Sequence, residues 1–401
     1  MKTMHSTIRR MAEQAKSIAA SLLRRLPGSR LPQGTIANFR AWSHAREARL
    51  QWMERGWDHW YVPTRGADLV EMNPPITADG SVHPVYRGAQ FYRYPSLFLA
   101  HVRNGRLLGR EGVVLTSEGL VLEESSFIWG KKPRQWPVFR RLSVPPAKEK
   151  SGAMMTLLST VAGKPNYFHW WIDTLPRLAV AEAAGVRHFQ VVVPEGMEDW
   201  QRESLERLGV SSDRWEPFGD DHWRVESLLV PSLLGYSGMV RPWAVSWLRR
   251  KIGLPKSAAG KRRIYLRRAK NECRQVANEA ELLPILKSYK FEVQETQGMP
   301  LADQLKLFSG AEAVVSIHGA GLTNLLFVPS KARVVEFMSP HPAYTNTCYY
   351  SLSSAVGHRY AVIFGEHPGR VPGGGEPRRW REDLVVPPDV LQETLSMLLG
   401  R

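Results

Sequence analysis

Residues 311–336 read AEAVVSIHGAGLTNLLFVPSKARVVE, and their types and order suit the binding of an anion. An apolar run ends at Ile317, and His318, Gly319, Ala320, Gly321, Leu322, Thr323 and Asn324 follow as a helical pattern begins. A buried strand running into a glycine turn and then a helix leaves backbone N–H groups unpaired at the helix start. Together with the positive end of the helix dipole, these attract negative charge. Gly319 and Gly321 let a phosphate come close to the backbone, and His318 brings an imidazole that can donate to it. A second apolar run, 332–337, closes the unit with Glu336 near its carboxyl end. Glycine turns also serve plain strand-to-helix connections, so the turn by itself leaves the ligand open.

A second group of reactive types lies in Asn166-Tyr167-Phe168-His169-Trp170-Trp171-Ile172-Asp173. Asn166 is a good helix N-cap and Pro165 precedes it. His169 and Asp173 stand four residues apart and share a helix face. An Asp accepting from one ring nitrogen fixes the tautomer, so the other nitrogen can take a proton from a hydroxyl. Asp173 and Arg177 are also four apart and could be a plain surface ion pair, and His169 could be a satisfied histidine among aromatic neighbours. The third feature is the basic strand Arg262-Arg263-Ile264-Tyr265-Leu266-Arg267-Arg268. Arginines at the carboxyl end of a parallel strand point to the ligand crevice of an open α/β sheet, which makes Arg268 and Arg274 candidates for a diphosphate. Solvated charge flanking a short strand is the alternative.

The elements that must hold these residues alternate. Strand-like runs at 153–158, 189–193 and 227–230 enclose helical stretches at 167–184 and 199–208. A second set has strands at 263–266, 291–295, 313–317 and 334–337 with helices at 279–289 and 301–309. Such alternation predicts parallel sheets covered on both faces, hence an α/β fold with two Rossmann-like domains. The expected divisions are a basic helical region at 1–60, a first domain at 61–255, a second at 256–375 after the linker 256–260, and a final helix within 376–401. Residues 367–378, rich in Pro and Gly, read as a loop, and 61–150 is the least legible stretch.

The chain has 401 residues, 43% hydrophobic and 23% charged, as a soluble globular protein does. Its two cysteines, Cys273 and Cys348, provide neither a disulfide framework nor metal-ligand spacing, which fits a reduced, cytoplasmic compartment. The net charge of +16 suits nucleic acid, an anionic membrane surface or phosphorylated small molecules. Near the N-terminus Ile8, Met11, Ala15, Ile18, Ala19 and Leu22 fall near one helical face, among Arg9, Arg10, Lys16, Arg24 and Arg25. This is the pattern of a basic amphipathic helix that lies in lipid headgroups, or else of a helix docked on the protein itself. No run is long enough to span a membrane, and no secretory signal is expected.

The segments NYFHWWID, RRIYLRR, ANEAEL, LADQLKLFSGAEAVVSIHGAGLTNLLF and VVEF, in that order, resemble glycosyltransferase family 61 over roughly residues 165–338. The resemblance implies a GT-B architecture, with two Rossmann-like domains facing a cleft. It also implies an inverting transfer from a nucleotide sugar such as a UDP-sugar to a glycan acceptor, without a cofactor or a required metal. It places Asn166, His169 and Asp173 on the acceptor side. On the donor side it places Arg268, Arg274, His318, Gly319, Ala320, Gly321, Leu322, Thr323, Asn324 and Glu336. Gln304 stands upstream of the glycine block. His169, oriented by Asp173, is the expected base, with Asp173 itself the alternative. Helix start, His318 and Arg268 are expected to hold the departing diphosphate, and Glu336 the ribose hydroxyls. Where paired arginines are often seen in the family this chain has Arg274 and Gln275, and residues before 150 match no pattern. The absence of a signal-anchor pattern suggests bacterial surface-polysaccharide synthesis on the inner face of a membrane. The rivals are a non-catalytic nucleotide-sugar binder and a basic nucleic-acid-binding protein, though no nucleic-acid partner is expected. An oxidoreductase is disfavoured because the Gly-x-Gly-x-x-Gly fingerprint is missing.

Overall fold

The computed structural model describes residues 2–26, 29–50, 59–126, 132–159, 166–254, 260–269, 273–340, 345–368 and 382–400. Most of the expected linker 256–260, Pro165 and nearly all of the loop 367–378 lie outside them. The chain forms two compact units, the first from Met1–Ala67 and Ser96–Leu234, the second from Asp68–Pro95 and Gly235–Arg401. The sequence places the division near 256. The structure instead gives the second unit the helix Pro242–Ile252 and the segment 68–95, whose Ile76 bridges to Ala361 in its sheet.

The first unit is built on a nine-stranded sheet. Its parallel part, Trp215–Phe218, Gln190–Pro194, Lys148–Thr156 and His222–Pro231 in spatial order, contains the three strands expected from 153 onward. The sheet is mixed, however. Leu97–Leu108 runs antiparallel to His222–Pro231 and carries His59–Arg65 and Val113–Leu115 antiparallel to itself. These strands come from the least legible stretch, and their short connections permit antiparallel pairing where a parallel strand needs a crossover. Phe98, Ala100, Val102, Leu107, Val192, Val225 and Leu228 fill the core.

The helix Lys2–Arg24 belongs to this unit. It docks through Ala20, Leu23 and Arg24. Arg24 Nη1 donates to the Phe139 carbonyl at 3.1 Å, and Glu13 pairs with Arg140 at 2.8 Å. Met11, Ile18 and Leu22 on the other face are 61–64% exposed. Among the described residues no helix is long and apolar enough to cross a membrane.

The second unit has a five-stranded, all-parallel sheet in the order Phe291–Gln294, Arg262–Leu266, Ala311–Ile317, Arg333–Met338, Arg359–Phe364. The helices Glu279–Ser288, Leu301–Ser309 and Cys348–Val356 are crossovers, and Pro388–Leu399 packs on the same core through Leu391, Leu395 and Leu398. From Arg262–Leu266 the chain first moves to one side and then returns to build on the other. The strand order therefore reverses between Arg262–Leu266 and Ala311–Ile317. Open α/β sheets bind ligands beyond the carboxyl ends of strands at such a reversal.

Candidate functional site

Arg268 follows one of the two strands flanking that reversal and His318 follows the other. Arg268 Nη1 donates to the His318 carbonyl oxygen at 3.3 Å. The rest of the basic strand is structural. Arg263 pairs with Glu312 at 2.6 Å, Arg267 with Glu279 at 2.9 Å, and Arg262 approaches Glu292 at 3.8 Å. Solvated or paired charge therefore accounts for these three, and Arg268 alone of the four turns to the switch point. Gly319 has extended backbone at φ 177°, so its role is space: a Cβ there would collide with the Arg268 guanidinium. A Cβ on Gly321 would stand 3.0 Å from Leu266 Cδ2.

The helix expected after the glycine turn is a seven-residue 3-10 helix, Ala320–Leu326. Asn324 Nδ2 donates to the Gly321 carbonyl at 3.1 Å and to Gln304 Oε1 at 2.9 Å, and the latter bond clamps the turn to the preceding helix. Such side-chain bonds to nearby carbonyls compete with α-helical pairing. The short element carries a weaker axial dipole than an α-helix, so positive charge at the site rests on side chains. Leu322, Thr323 and Asn324 are buried, while Ala320 is exposed. What the first three present outward is main chain and the shape of the turn.

Glu336 is fully buried. Its Oε1 takes the bond of His318 Nδ1 at 2.5 Å, and its Oε2 accepts from Tyr360 Oη at 2.5 Å. The Tyr86 hydroxyl lies 3.3 Å from that of Tyr360. Both carboxylate oxygens are thus engaged inside the protein, and a direct bond to ribose hydroxyls, expected from sequence, is not how Glu336 is placed. It orients His318 instead. Burial first, then the Glu336 charge, holds the Tyr86 and Tyr360 phenols well above their ordinary range, so both stay protonated. The Tyr349 ring packs 5.2 Å from the imidazole of His318. These tyrosines escaped sequence reasoning, because a tyrosine in a buried strand or helix carries no signal beyond packing.

Arg274 has φ 64°, a left-handed conformation costly for a residue with a Cβ. Its Nε is buried and has no hydrogen-bond partner among the described residues, and its charge acts on Tyr349. Strain and an unspent donor thus coincide in the second arginine expected at the site. The neighbouring Gln275 spends its amide on the Ala269 carbonyl at 2.8 Å.

In the first unit the order also reverses, between Lys148–Thr156 and His222–Pro231. Fully buried Arg177 closes this point, donating to the carbonyls of Leu158 at 2.9 Å and Pro231 at 3.0 Å. Burial lowers its pKa to about 10. It is therefore no surface partner of Asp173. Asp173 Oδ2 instead meets His169 Nδ1 at 2.7 Å, with the side chains 14% and 26% exposed. Asn166 caps the helix, its Oδ1 accepting from His169 N at 3.2 Å. The helix expected at 167–184 is not uniform. Tyr167–His169 is α, Trp170–Thr174 is a π turn in which Leu175 N reaches the Trp170 carbonyl at 2.9 Å, and Arg177–Ala183 is α again. Pro176 explains the widening, since it has no N–H for the carbonyl of residue 172 and its ring would clash there. Single π turns recur at functional sites. Among the described residues no three His, Cys, Asp or Glu side chains gather as a metal site.

The family described as Glycosyltransferase 61 matches residues 167–335, a span holding the His169–Asp173 pair, Arg268, Arg274 and the His318 turn. The EGF domain-specific O-linked N-acetylglucosamine transferase of Drosophila melanogaster is 30% identical over 149 residues, covering 35% of this chain and 28% of that protein. Those of Pan troglodytes and Bos taurus are each 31% identical over 128 residues, covering 29% of this chain and 24% of theirs. The match thus spans about a quarter of the length of these relatives. Together the family match and the relatives make this stretch of the chain similar to glycosyltransferases of family 61.

Proposed function

We propose that this protein is an inverting glycosyltransferase of GT-B type that moves a sugar from a nucleotide diphosphate to a hydroxyl of a glycan acceptor in bacterial surface-polysaccharide synthesis. The observation that carries the donor site is the meeting of Arg268 and His318 beyond the two strands where the order reverses. The second unit binds the diphosphate. Arg268 and Arg274 offer guanidinium donors, His318 its Nε2 edge and the turn 319–321 its backbone, so the charge of the leaving diphosphate meets fixed donors. Glu336 acts through His318.

The first unit supplies the base. Asp173 holds the proton on Nδ1 of His169, leaving Nε2 to accept the proton of the acceptor hydroxyl as its oxygen bonds the anomeric carbon. The bond from that carbon to the diphosphate breaks on the opposite face, and its electron pair leaves with the nucleotide. The helix Lys2–Arg24, with its outward Met11, Ile18 and Leu22, holds the enzyme peripherally on the cytoplasmic, anionic face of a membrane.

The names of the relatives make N-acetylglucosamine the first donor sugar to try. Thermal shift with UDP, GDP and UDP-N-acetylglucosamine tests the donor site, since a ligand that binds only the folded state raises the melting temperature. A transition unmoved by every nucleotide and nucleotide sugar removes this reading. Binding with no transfer to any polysaccharide, oligosaccharide or glycopeptide acceptor makes the protein a non-catalytic binder.

A further inference from the structure

The His318–Glu336 pair has a charge balance that matters to an anion. A fully buried carboxylate is costly unless compensated, and the group with a titratable positive form in hydrogen-bond contact with it is the imidazole of His318. Tyr360 satisfies the other oxygen but brings no charge. An ionised carboxylate only accepts, so the bond fixes a proton on Nδ1 and leaves Nε2 to decide the state of the pair. With Nε2 bare, the pair carries a net negative charge at the mouth of a phosphate site and has no donor to offer. With Nε2 protonated, the pair is neutral overall and presents an N–H outward, on a side chain 16% exposed.

We propose that His318 and Glu336 form a proton-linked anion site, in which a nucleotide diphosphate binds together with a proton taken up by His318. The proposal rests on the donor-site reading above and adds a stoichiometry to it. The groups around the pair leave the imidazole as the place for that proton. Tyr349 faces the ring, while Tyr360 and Tyr86 lie on the carboxylate side. Burial, with Glu336 adding to it, holds all three phenols well above their ordinary range. Arg268 at the His318 carbonyl and Arg274, whose charge acts on Tyr349, are the cationic side chains beside the pair. Buried Cys348 acts on both the Tyr349 and Tyr86 phenols, and the variants below separate it from the imidazole.

The proton has a use in the reaction. When the bond between the anomeric carbon and the diphosphate oxygen breaks, the terminal phosphate gains one further negative charge. The proton lost by the acceptor hydroxyl goes to the base of the first unit and is not available there. A proton taken up at His318 on donor binding is already in place to meet the new charge.

Isothermal calorimetry of the full chain with UDP-N-acetylglucosamine, in buffers of differing ionisation enthalpy at neutral to mildly alkaline pH, tests this. The sugar diphosphate has no phosphate group that titrates in that range, so a buffer-dependent heat reports a proton gained by the protein. A net proton uptake on nucleotide binding is expected in the wild type. Tyr360→Phe, which keeps the carboxylate, should retain the uptake. Glu336→Gln and His318→Gln should lose it and bind about tenfold or more weakly. Wild-type binding without buffer dependence overturns the proposal, and so does an uptake unchanged in His318→Gln. Wild-type protein that binds neither UDP-N-acetylglucosamine nor UDP or GDP overturns the donor-site reading itself, and the linkage with it.

Discussion

Arg268 reaches across from the end of one strand to the main-chain oxygen of His318 at the end of the next, 3.3 Å from Nη1. The bond spends one guanidinium hydrogen on a neighbouring loop and fixes the plane of the remaining fork. Gly319 leaves the space that this guanidinium fills. The arginine is thereby pre-positioned before any ligand arrives, which lowers the ordering cost of binding.

Replacing Arg268 should therefore weaken nucleotide binding without unfolding the second unit. Arg268→Ala is expected to cost about 1.5–3 kcal/mol, roughly 10- to 150-fold in the Kd for UDP. Arg268→Lys should recover only part, because an ammonium lacks the planar fork. Calorimetric titration of each variant measures this, and an unchanged Kd removes Arg268 from the site.

The His169–Asp173 bond predicts a loss confined to turnover. His169→Gln should lower kcat by about 10²–10⁴-fold, and Asp173→Asn should also lower it, with the Kd for the donor unchanged. Steady-state transfer assays beside donor binding separate the two quantities. Full activity in both variants would mean that the base lies elsewhere.

Arg177 predicts a structural loss instead. Arg177→Met leaves the Leu158 and Pro231 carbonyls without donors at the reversal of the first sheet. Urea denaturation should show about 2–5 kcal/mol lost, since each buried carbonyl left unpaired costs about 1–3 kcal/mol. A midpoint within error of the wild type would refute this role.

His358 predicts the response to acid. Its ring Nδ1 is buried with no hydrogen-bond partner among the described residues, its Nε2 lies 3.4 Å from the Val328 carbonyl, and burial lowers its pKa from 6.5 to about 3. Between those values the unfolded chain binds a proton that the folded chain refuses. Stability is therefore intact above about pH 6.5 and falls as pH drops toward 3, by up to roughly 1.4 kcal/mol per pH unit. His358→Leu should flatten that slope in denaturant melts from pH 7 to pH 4 (about the accessible range). An identical slope in the variant would assign the acid sensitivity to other groups.

The outward face of the N-terminal helix makes a prediction about lipid. Ile18 and Leu22 are 64% and 61% exposed while Ala20, Leu23 and Arg24 make the contacts that dock the helix. Ile18→Asp with Leu22→Asp should leave the fold intact and reduce sedimentation with phosphatidylserine vesicles about tenfold or more, since each buried apolar side chain contributes about 1.5–3 kcal/mol. Wild-type protein that stays in the supernatant, or a double variant that still sediments, defeats the membrane reading.

Four strands of the second sheet were legible because they are short, apolar and set off by helices of ordinary length, while the edge strand Arg359–Phe364 was not read. The sheet's catalytic-side features are carried by residues with distinctive chemistry, such as His318 and Arg268. What the sequence hides is long-range or buried. Leu97–Leu108 is a central strand broken in pattern by Arg106, and that arginine is buried because Nε donates to His222 Nε2 at 2.8 Å and Nη2 to the Arg30 carbonyl at 2.6 Å. No local rule anticipates a guanidinium satisfied from residues 76 and 116 positions away. The π turn at Trp170–Thr174 was within reach, since Pro176 stands in plain view inside the helical pattern. The Tyr86–Tyr360 contact was not, because it joins the second sheet to a segment from early in the chain.

That early segment has a consequence for how the molecule is made. The polypeptide passes from one unit to the other at 67–68, 95–96 and 234–235. During synthesis, residues 68–95 emerge long before their strand partner at Ala361, and the first unit lacks its central strand His222–Pro231 until that too has left the ribosome. The first unit can close once residue 234 has emerged, whereas the second cannot until its late strands follow, so the nascent chain holds unfinished sheet edges that favour chaperone capture. A gene cut at 235 would leave the first unit whole but carrying 68–95 as a stray segment, and the second without it, so the separable second unit is a fusion of 68–95 to 235–401.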